Sequence, residues 1–366
     1  MKSKLNNIVI ATGGTGGHIF PAYSLAKHFI EKKYNVKLVS DKRGMRYLKD
    51  YQELNITQIT SSTISKKNIL GLTISIFITL YSIFRSSIFL LFNRPELVFG
   101  MGGYSSFPIC IAAKILRIPF IIYENNLHIG KANKYLLPFT KKAFVSHGDL
   151  DGISKKHKDK ICEIGNIIRK EIFNFKAEQN IYQKDKIIKI LILGGSQAAK
   201  VFAEKLPKIF KECKVAKLSF KIYQQCLPEQ TEYLTSLYKD LNVDFEIFNF
   251  STNILNYFSK INLVITRSGS SMLAELLNAN IPFISVPLPT SADNHQLKNA
   301  IYYKKNGYSY LIEEKNLNKK LFELIKLMHE DRSLLEQIVK KQKQYSDKEV
   351  YQNIDREIDK IINEKH

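Results

Sequence analysis

The sequence predicts two doubly wound α/β domains in tandem, and three observations carry that prediction. The chain has 366 residues, too many for one ordinary core and comfortable for two. An apolar, β-branched run that ends in a glycine-rich turn and an amphipathic segment occurs twice, at residues 7–32 and 187–211. Each copy opens a fresh alternation of short apolar runs and helical stretches, as expected when parallel strands are covered by helices on both faces. A hydrophobic fraction of 45% and a charged fraction of 24% exclude wholesale disorder.

The elements follow in chain order. The basic start Met1-Lys2-Ser3-Lys4 precedes only a short apolar run at 8–11, so it reads as a first strand and not as a secretory signal. Further strands of the first domain (1–165) are expected at 36–40, 97–100 and 120–123. Residues 69–92 carry one charge, Arg85, and are long enough to cross a bilayer. A crossing there would leave strands of one sheet on opposite sides of the membrane. A long apolar helix covering the sheet is expected instead, with Ser75, Thr79, Ser82 and Ser86 along one face. Another face dips into the membrane interface, flanked by Lys66, Lys67, Arg85 and Arg94. The second domain (166–344) starts with a polar, lysine-rich stretch and has strands at 187–193, 220–223, 263–266 and 283–286. The charged helical tail, about 345–366, is expected to pack back on the first domain.

The formal net charge is +21, with a sequence pI near 9.5. Such a field favours anionic partners, namely nucleic acid, an acidic membrane or phosphorylated substrates. Most of the basic residues are lysine, which a codon bias also produces, so charge alone assigns nothing. It fits an anionic membrane surface better than a free-floating enzyme, and no nucleic-acid partner is expected. Cys110, Cys162, Cys213 and Cys226 are too scattered for a disulfide framework or a zinc ribbon and are expected as reduced thiols.

The chemistry lies in the turns. Gly13-Gly14-Thr15-Gly16-Gly17-His18 exposes backbone N–H groups at a helix start, where phosphate or a close-packed polar ligand binds. No Lys-Ser/Thr follows, so it is not a Walker A loop. Ile19 breaks the dinucleotide fingerprint, although Asp41 stands where an acid that binds NAD would be. His18 either serves chemistry or merely caps and packs. Gly194-Gly195-Ser196-Gln197 is a second loop of this type. Arg267-Ser268-Gly269 precedes a helix whose second turn carries Glu275, placed to bond ribose hydroxyls or to complement the helix dipole. Asp293-Asn294-His295-Gln296 is a dense polar loop suited to sugar hydroxyls. Two phosphate-type loops suggest a nucleotide-sugar enzyme.

Together with Gly100-Met101-Gly102-Gly103-Tyr104, Glu124-Asn125-Asn126 and Gly165-Asn166-Ile167-Ile168-Arg169, these motifs resemble, in order and spacing, the MurG family. That family moves N-acetylglucosamine from UDP-GlcNAc to lipid I, giving lipid II. The resemblance runs from Ile8 to about Ala300. It implies a GT-B fold, two Rossmann-like domains facing across a cleft, an inverting displacement, and neither cofactor nor metal. It carries donor contacts to Thr15, Gly16, Gly17, Asn126, Arg169, Ser196, Ser251 and Gln296, and to Ser270, Ser271, Met272, Leu273, Ala274 and Glu275. Gly102, Gly103 and Tyr104 form an acceptor loop. His18 is the candidate base, with Glu124 its competitor or orienting partner. Implied partners are UDP-GlcNAc, lipid I, an anionic membrane surface and proteins of cell-wall assembly, at the cytoplasmic face of the bacterial inner membrane. The sequence departs from the family at 251–254, at Asn125, where glutamine is usual, and at Ala198, where glycine is usual. The alternatives are a UDP-GlcNAc 2-epimerase or another UDP-sugar-dependent GT-B enzyme, a non-catalytic membrane scaffold and an NAD oxidoreductase.

Overall fold

The computed structural model describes residues 7–49, 51, 53–59, 69–175, 187–249 and 254–363, without the side chains of 69, 70, 72, 195–199, 362 and 363. The chain divides into two compact units. The first holds Met1–Arg169 together with Asp347–His366, and the second holds Lys170–Ser346.

In the first unit, β1 (Asn7–Ala11), α1 (Gly16–Glu31), β2 (Asn35–Ser40), α2 (Lys42–Leu48) and β3 (Asn55–Gln58) form one half of a sheet. α3 (Ile69–Asn93) then crosses over to β4 (Leu97–Gly100). α4 (Ser106–Ile115), β5 (Phe120–Glu124), α5 (Lys131–Leu136), β6 (Lys142–Val145) and β7 (Ile161–Glu163) complete it. Among the described residues the sheet is parallel, in the order β3-β2-β1-β4-β5-β6-β7. The order reverses between β1 and β4, and a doubly wound sheet opens its crevice at that switch point. The turns leaving these two strands are the glycine loops at 13–18 and 101–105.

In the second unit, α6 (Lys170–Asn174) leads to β8 (Ile188–Leu193), α7 (Gly195–Val215), β9 (Phe220–Gln225), α8 (Thr231–Asp240), β10 (Asp244–Phe248) and α9 (Leu255–Phe258). β11 (Leu263–Thr266), α10 (Ser270–Asn278), β12 (Phe283–Ser285), α11 (His295–Lys305), β13 (Tyr310–Leu311), α12 (Leu317–Glu330) and α13 (Ser333–Gln342) follow. The parallel order is β10-β9-β8-β11-β12-β13, so its switch point lies between β8 and β11. The turns after those strands are Gly194-Gly195 and Arg267-Ser268-Gly269. Each unit therefore places both of its glycine turns at its own switch point.

α3 inverts the usual pattern of a surface helix. Ser75, Ser82, Ser86 and Leu90 are buried, whereas Phe77, Leu80, Phe84, Leu91 and Phe92 are exposed. Three of the hydroxyls along this helix bond back to its own backbone, whereas the buried Ser86 hydroxyl has no hydrogen-bond partner. Ser75 donates to the Gly71 carbonyl at 2.7 Å, Thr79 to Ser75 at 2.8 Å and Ser82 to Ile78 at 2.7 Å. Thr73–Asn93 is long and apolar enough to cross a membrane. It is nevertheless the crossover within one hydrogen-bonded sheet, whose strands β1 and β4 are direct neighbours. Arg85 and Arg94 are exposed at its flank, while Lys66 and Lys67 lie outside the described residues.

The last helix, α14 (Val350–Asn363), packs on the first unit. Asp347 accepts from the Asn166 N–H at 2.9 Å and from its side chain at 3.1 Å. Tyr351 donates to the Ile168 carbonyl at 2.6 Å, and His28 of α1 contacts Asp355 at 3.0 Å. Gly165 and Asn166 thus form the seat for the returning chain. The divisions fall at 169/170 and 346/347, and Arg169 stays with the first unit.

Candidate active site

Within the first unit the two glycine loops pack together around His18. A Cβ on Gly102 would stand 2.8 Å from Cε1 and Nδ1 of His18, and one on Gly103 would stand 2.8 Å from the Gly13 carbonyl oxygen. Both residues have positive φ, +86° and +77°, where glycine is the natural occupant. A Cβ on Gly13 would strike the Ser105 hydroxyl at 1.8 Å. The glycines here permit loop-on-loop contact and set the imidazole against the Gly102-Gly103 turn. Thr15 is exposed at the N-cap of α1, and its hydroxyl makes no capping bond. Tyr104 is exposed beside the loop.

The position of His18 depends on a proline. Pro21 lies inside α1 and has no N–H to donate to the Gly17 carbonyl. Asn125 fills that place, its side chain donating to Gly17 O at 2.7 Å. The shorter amide at this position thus ties the end of β5 to the first turn of α1.

Glu124 is buried at the tip of β5. One carboxylate oxygen accepts from the backbone and side chain of Asn126 at 3.1 and 2.9 Å. The other accepts from the Gly130 N–H at 2.8 Å and the Asn133 side chain at 3.0 Å. A carboxylate offers about four acceptor sites, and four donors occupy these. The geometry therefore makes Glu124 the organiser of the 125–133 loop and argues against it as the base. Asn126 is held with its amide nitrogen toward Glu124. Asp41 is similarly engaged, accepting from Gly14 N–H at 3.1 Å and Gly44 N–H at 2.8 Å and pairing with Arg43. It braces the first glycine loop, which removes the main support for an NAD site.

In the second unit, Ser270, Ser271 and Met272 form the first turn of α10, where backbone N–H groups have no intrahelical acceptor. Leu273 and Ala274 are fully buried core residues, so only their backbone could face a ligand. Glu275 is buried on the next turn. Gly269 has φ −70° and ψ 128°, which any residue adopts, and a Cβ there would meet nothing within 4 Å. Neither backbone nor packing requires a glycine at this turn. Gln296 is half-buried at the start of α11, its Oε1 accepting from the N–H groups of Ser268 (3.2 Å) and Leu288 (3.0 Å). Asp293 and Asn294 before it take left-handed φ values of 50° and 54°, which these residue types tolerate best among non-glycines. Ser196 falls in the first turn of α7, and its side chain is not among those described. Ser251 lies outside the described residues.

The comparisons with known proteins agree with this layout. Residues 8–145 match the glycosyltransferase family 28 N-terminal domain, and residues 189–354 match its C-terminal domain. A Pelagibacter ubique protein named UDP-N-acetylglucosamine–N-acetylmuramyl-(pentapeptide) pyrophosphoryl-undecaprenol N-acetylglucosamine transferase is 36% identical, covering 98% of this chain and 99% of its own. A Francisella tularensis protein of the same name is 33% identical over the whole of both chains. The chain belongs to the MurG family. The crystal structure of Acinetobacter baumannii MurG aligns with a TM-score of 0.74 at 26% identity, over 98% of this chain and 99% of that one. A UDP complex of Staphylococcus aureus MnaA aligns at TM-score 0.69 and 14% identity, over 98% and 97%, a likeness of fold alone. The tandem Rossmann-like, GT-B reading of the chain stands.

Two buried residues beyond strand ends, Arg267 and His147, were given no role of their own by sequence reasoning. Arg267 is buried and joins several segments of the second unit. His147, at the end of β6, is buried, and its pKa is pushed down from 6.5 to about 4 by desolvation, with Asp149 opposing. The signal that both share is a position just past the carboxyl end of a strand, and Arg267 was noted only as part of Arg267-Ser268-Gly269.

Proposed function

We propose that the chain transfers N-acetylglucosamine from UDP-GlcNAc to the muramyl 4-hydroxyl of undecaprenyl-pyrophosphoryl-MurNAc-pentapeptide, forming lipid II for peptidoglycan synthesis. The full-length likeness to relatives named for that reaction carries the reading. The donor sugar is α-linked and the family product is β-linked, so the step is a single in-line displacement with inversion. His18 takes the proton of the attacking hydroxyl, because an imidazole can accept a proton near neutral pH. Its seat against Gly102 and Gly103 supports that role. The departing diphosphate is stabilised by first-turn N–H groups of α7 and α10 and by their dipoles, preorganised charge that substitutes for a metal ion. Glu275 bonds the ribose and Gln296 the sugar. The acceptor is a lipid, and the enzyme works peripherally at the cytoplasmic face of the plasma membrane. The exposed apolar face of α3, Arg85, Arg94 and the +21 charge support docking on anionic lipid.

The test is transfer of label from UDP-GlcNAc to a short-prenyl lipid I analogue, with excess EDTA and an acceptor-free control. Labelled β-linked product in EDTA is expected. Activity that EDTA abolishes and magnesium restores would overturn the metal-free step. Donor converted without acceptor would replace the transferase by an epimerase.

A further inference from the structure

Arg267 follows β11 directly and is buried beneath the second unit's switch point. Its Nη1 donates to the carbonyls of Val286 (3.3 Å) and Pro287 (3.2 Å). Its Nη2 pairs with Glu314 at 2.6 Å, and the guanidinium lies 4.9 Å from the centre of the Phe202 ring on α7. One residue further along both strand ends, the N–H groups of Ser268 and Leu288 converge on Oε1 of Gln296. The same two segments are thus linked twice in succession, first by the guanidinium and then by the carboxamide. Two backbone donors can be served only by the oxygen of that amide, so its orientation is determined, and Nε2 faces the other way as a donor.

We propose that Arg267 is a positioning residue for donor-sugar recognition. By fixing the spacing of the 268 and 288 segments, it holds the Gln296 carboxamide with Nε2 outward, as a hydrogen-bond donor to an oxygen of the hexosamine. The inference rests on the reading of Gln296 as a sugar contact. A forked guanidinium holds two carbonyls and a carboxylate at once, which a lysine ammonium on the same stem cannot reproduce.

The test separates the sugar from the nucleotide. KM for UDP-GlcNAc and the inhibition constant of UDP are measured for wild type, Gln296→Ala, Arg267→Lys and the double variant. Gln296→Ala should raise the UDP-GlcNAc KM about tenfold and change UDP inhibition less than about twofold, the loss of one ligand hydrogen bond. Arg267→Lys should show the same pattern, and the double variant should be no more than about threefold worse than Gln296→Ala, because the two act as one unit. If Arg267→Lys does not fold, Glu314→Gln carries the test, with a smaller rise of about threefold again confined to UDP-GlcNAc. Equal losses for UDP-GlcNAc and UDP, or a double variant about a hundredfold impaired, would show a general scaffold and overturn the proposal. If Gln296→Ala leaves the donor KM unchanged, the sugar contact itself is wrong and the proposal goes with it.

Discussion

Replacing Phe77, Phe84 and Leu91 with serine removes one continuous line of side chains, spaced seven residues apart, from the outer face of α3. Their exposures are 71%, 63% and 58%, so most of each surface is available to lipid and little of it supports the fold. Complete burial of such a side chain is worth about 1.5–3 kcal/mol, and these exposed fractions scale that to about 1–2 kcal/mol each. Immersion at the headgroup boundary is shallow, which favours the lower figure and a total of about 3 kcal/mol. Vesicle affinity should then fall on the order of a hundredfold, with donor affinity unchanged. The assay is co-sedimentation with phosphatidylglycerol vesicles at two salt concentrations. Salt should weaken the part due to the +21 charge in wild type and variant alike, leaving the apolar difference between them. A triple variant that binds vesicles as wild type does would refute the reasoning, as would a wild type that stays in the supernatant at low salt.

Gly269→Ala and Gly102→Ala should behave in opposite ways. At Gly269 the backbone is ordinary and the space open, so stability should hold or rise by about 0.4–1 kcal/mol while the donor KM rises; a normal KM would mean that no ligand fills that space. At Gly102 the positive φ and the 2.8 Å approach to His18 should cost about 1–3 kcal/mol and lower kcat, and an unaffected melting temperature and turnover would refute the packing. His147, with a folded pKa near 4 against 6.5, leaves the unfolded chain holding the extra proton between those values. Its contribution to stability is therefore intact above pH 6.5 and falls by about 3 kcal/mol as pH drops to 4. Urea midpoints of His147→Gln should lack that part of the acid slope, and an unchanged slope would reject the assignment. Asn125→Ala should lower kcat more than it raises either KM, since it loosens the turn that carries His18; equal kinetics would leave the Gly17 bond without consequence.

Both switch points were legible because buried parallel strands and glycine turns leave strong local signals. β1, β4, β8 and β11 are runs of apolar residues with glycine turns or Arg-Ser-Gly close behind. β3, β10 and β13 were not, since edge strands are half-exposed and read as polar or mixed sequence. β6 and β7 were passed over too, being very short runs without a glycine turn of that kind. At the site, identity outran role. Glu124 and Asp41 stand where a carboxylate would serve chemistry, and only their partners reveal that both hold loops in shape. Arg267 was visible as a motif letter, but a contact to residues 286 and 287 is beyond any local pattern.

The return of residues 347–366 to the first unit means that the chain emerging from the ribosome completes its units out of order. The second unit is continuous and has all its strands once Ser346 has been made. The first unit, though synthesised earlier, must wait for Asp347, Tyr351 and Asp355 before the 164–168 segment and His28 receive their partners. Until residues 347–366 have been made, the seat for α14 on the older unit stays uncovered. A chain that stops at Ser346 should therefore be more open to proteases in the first unit than in the second.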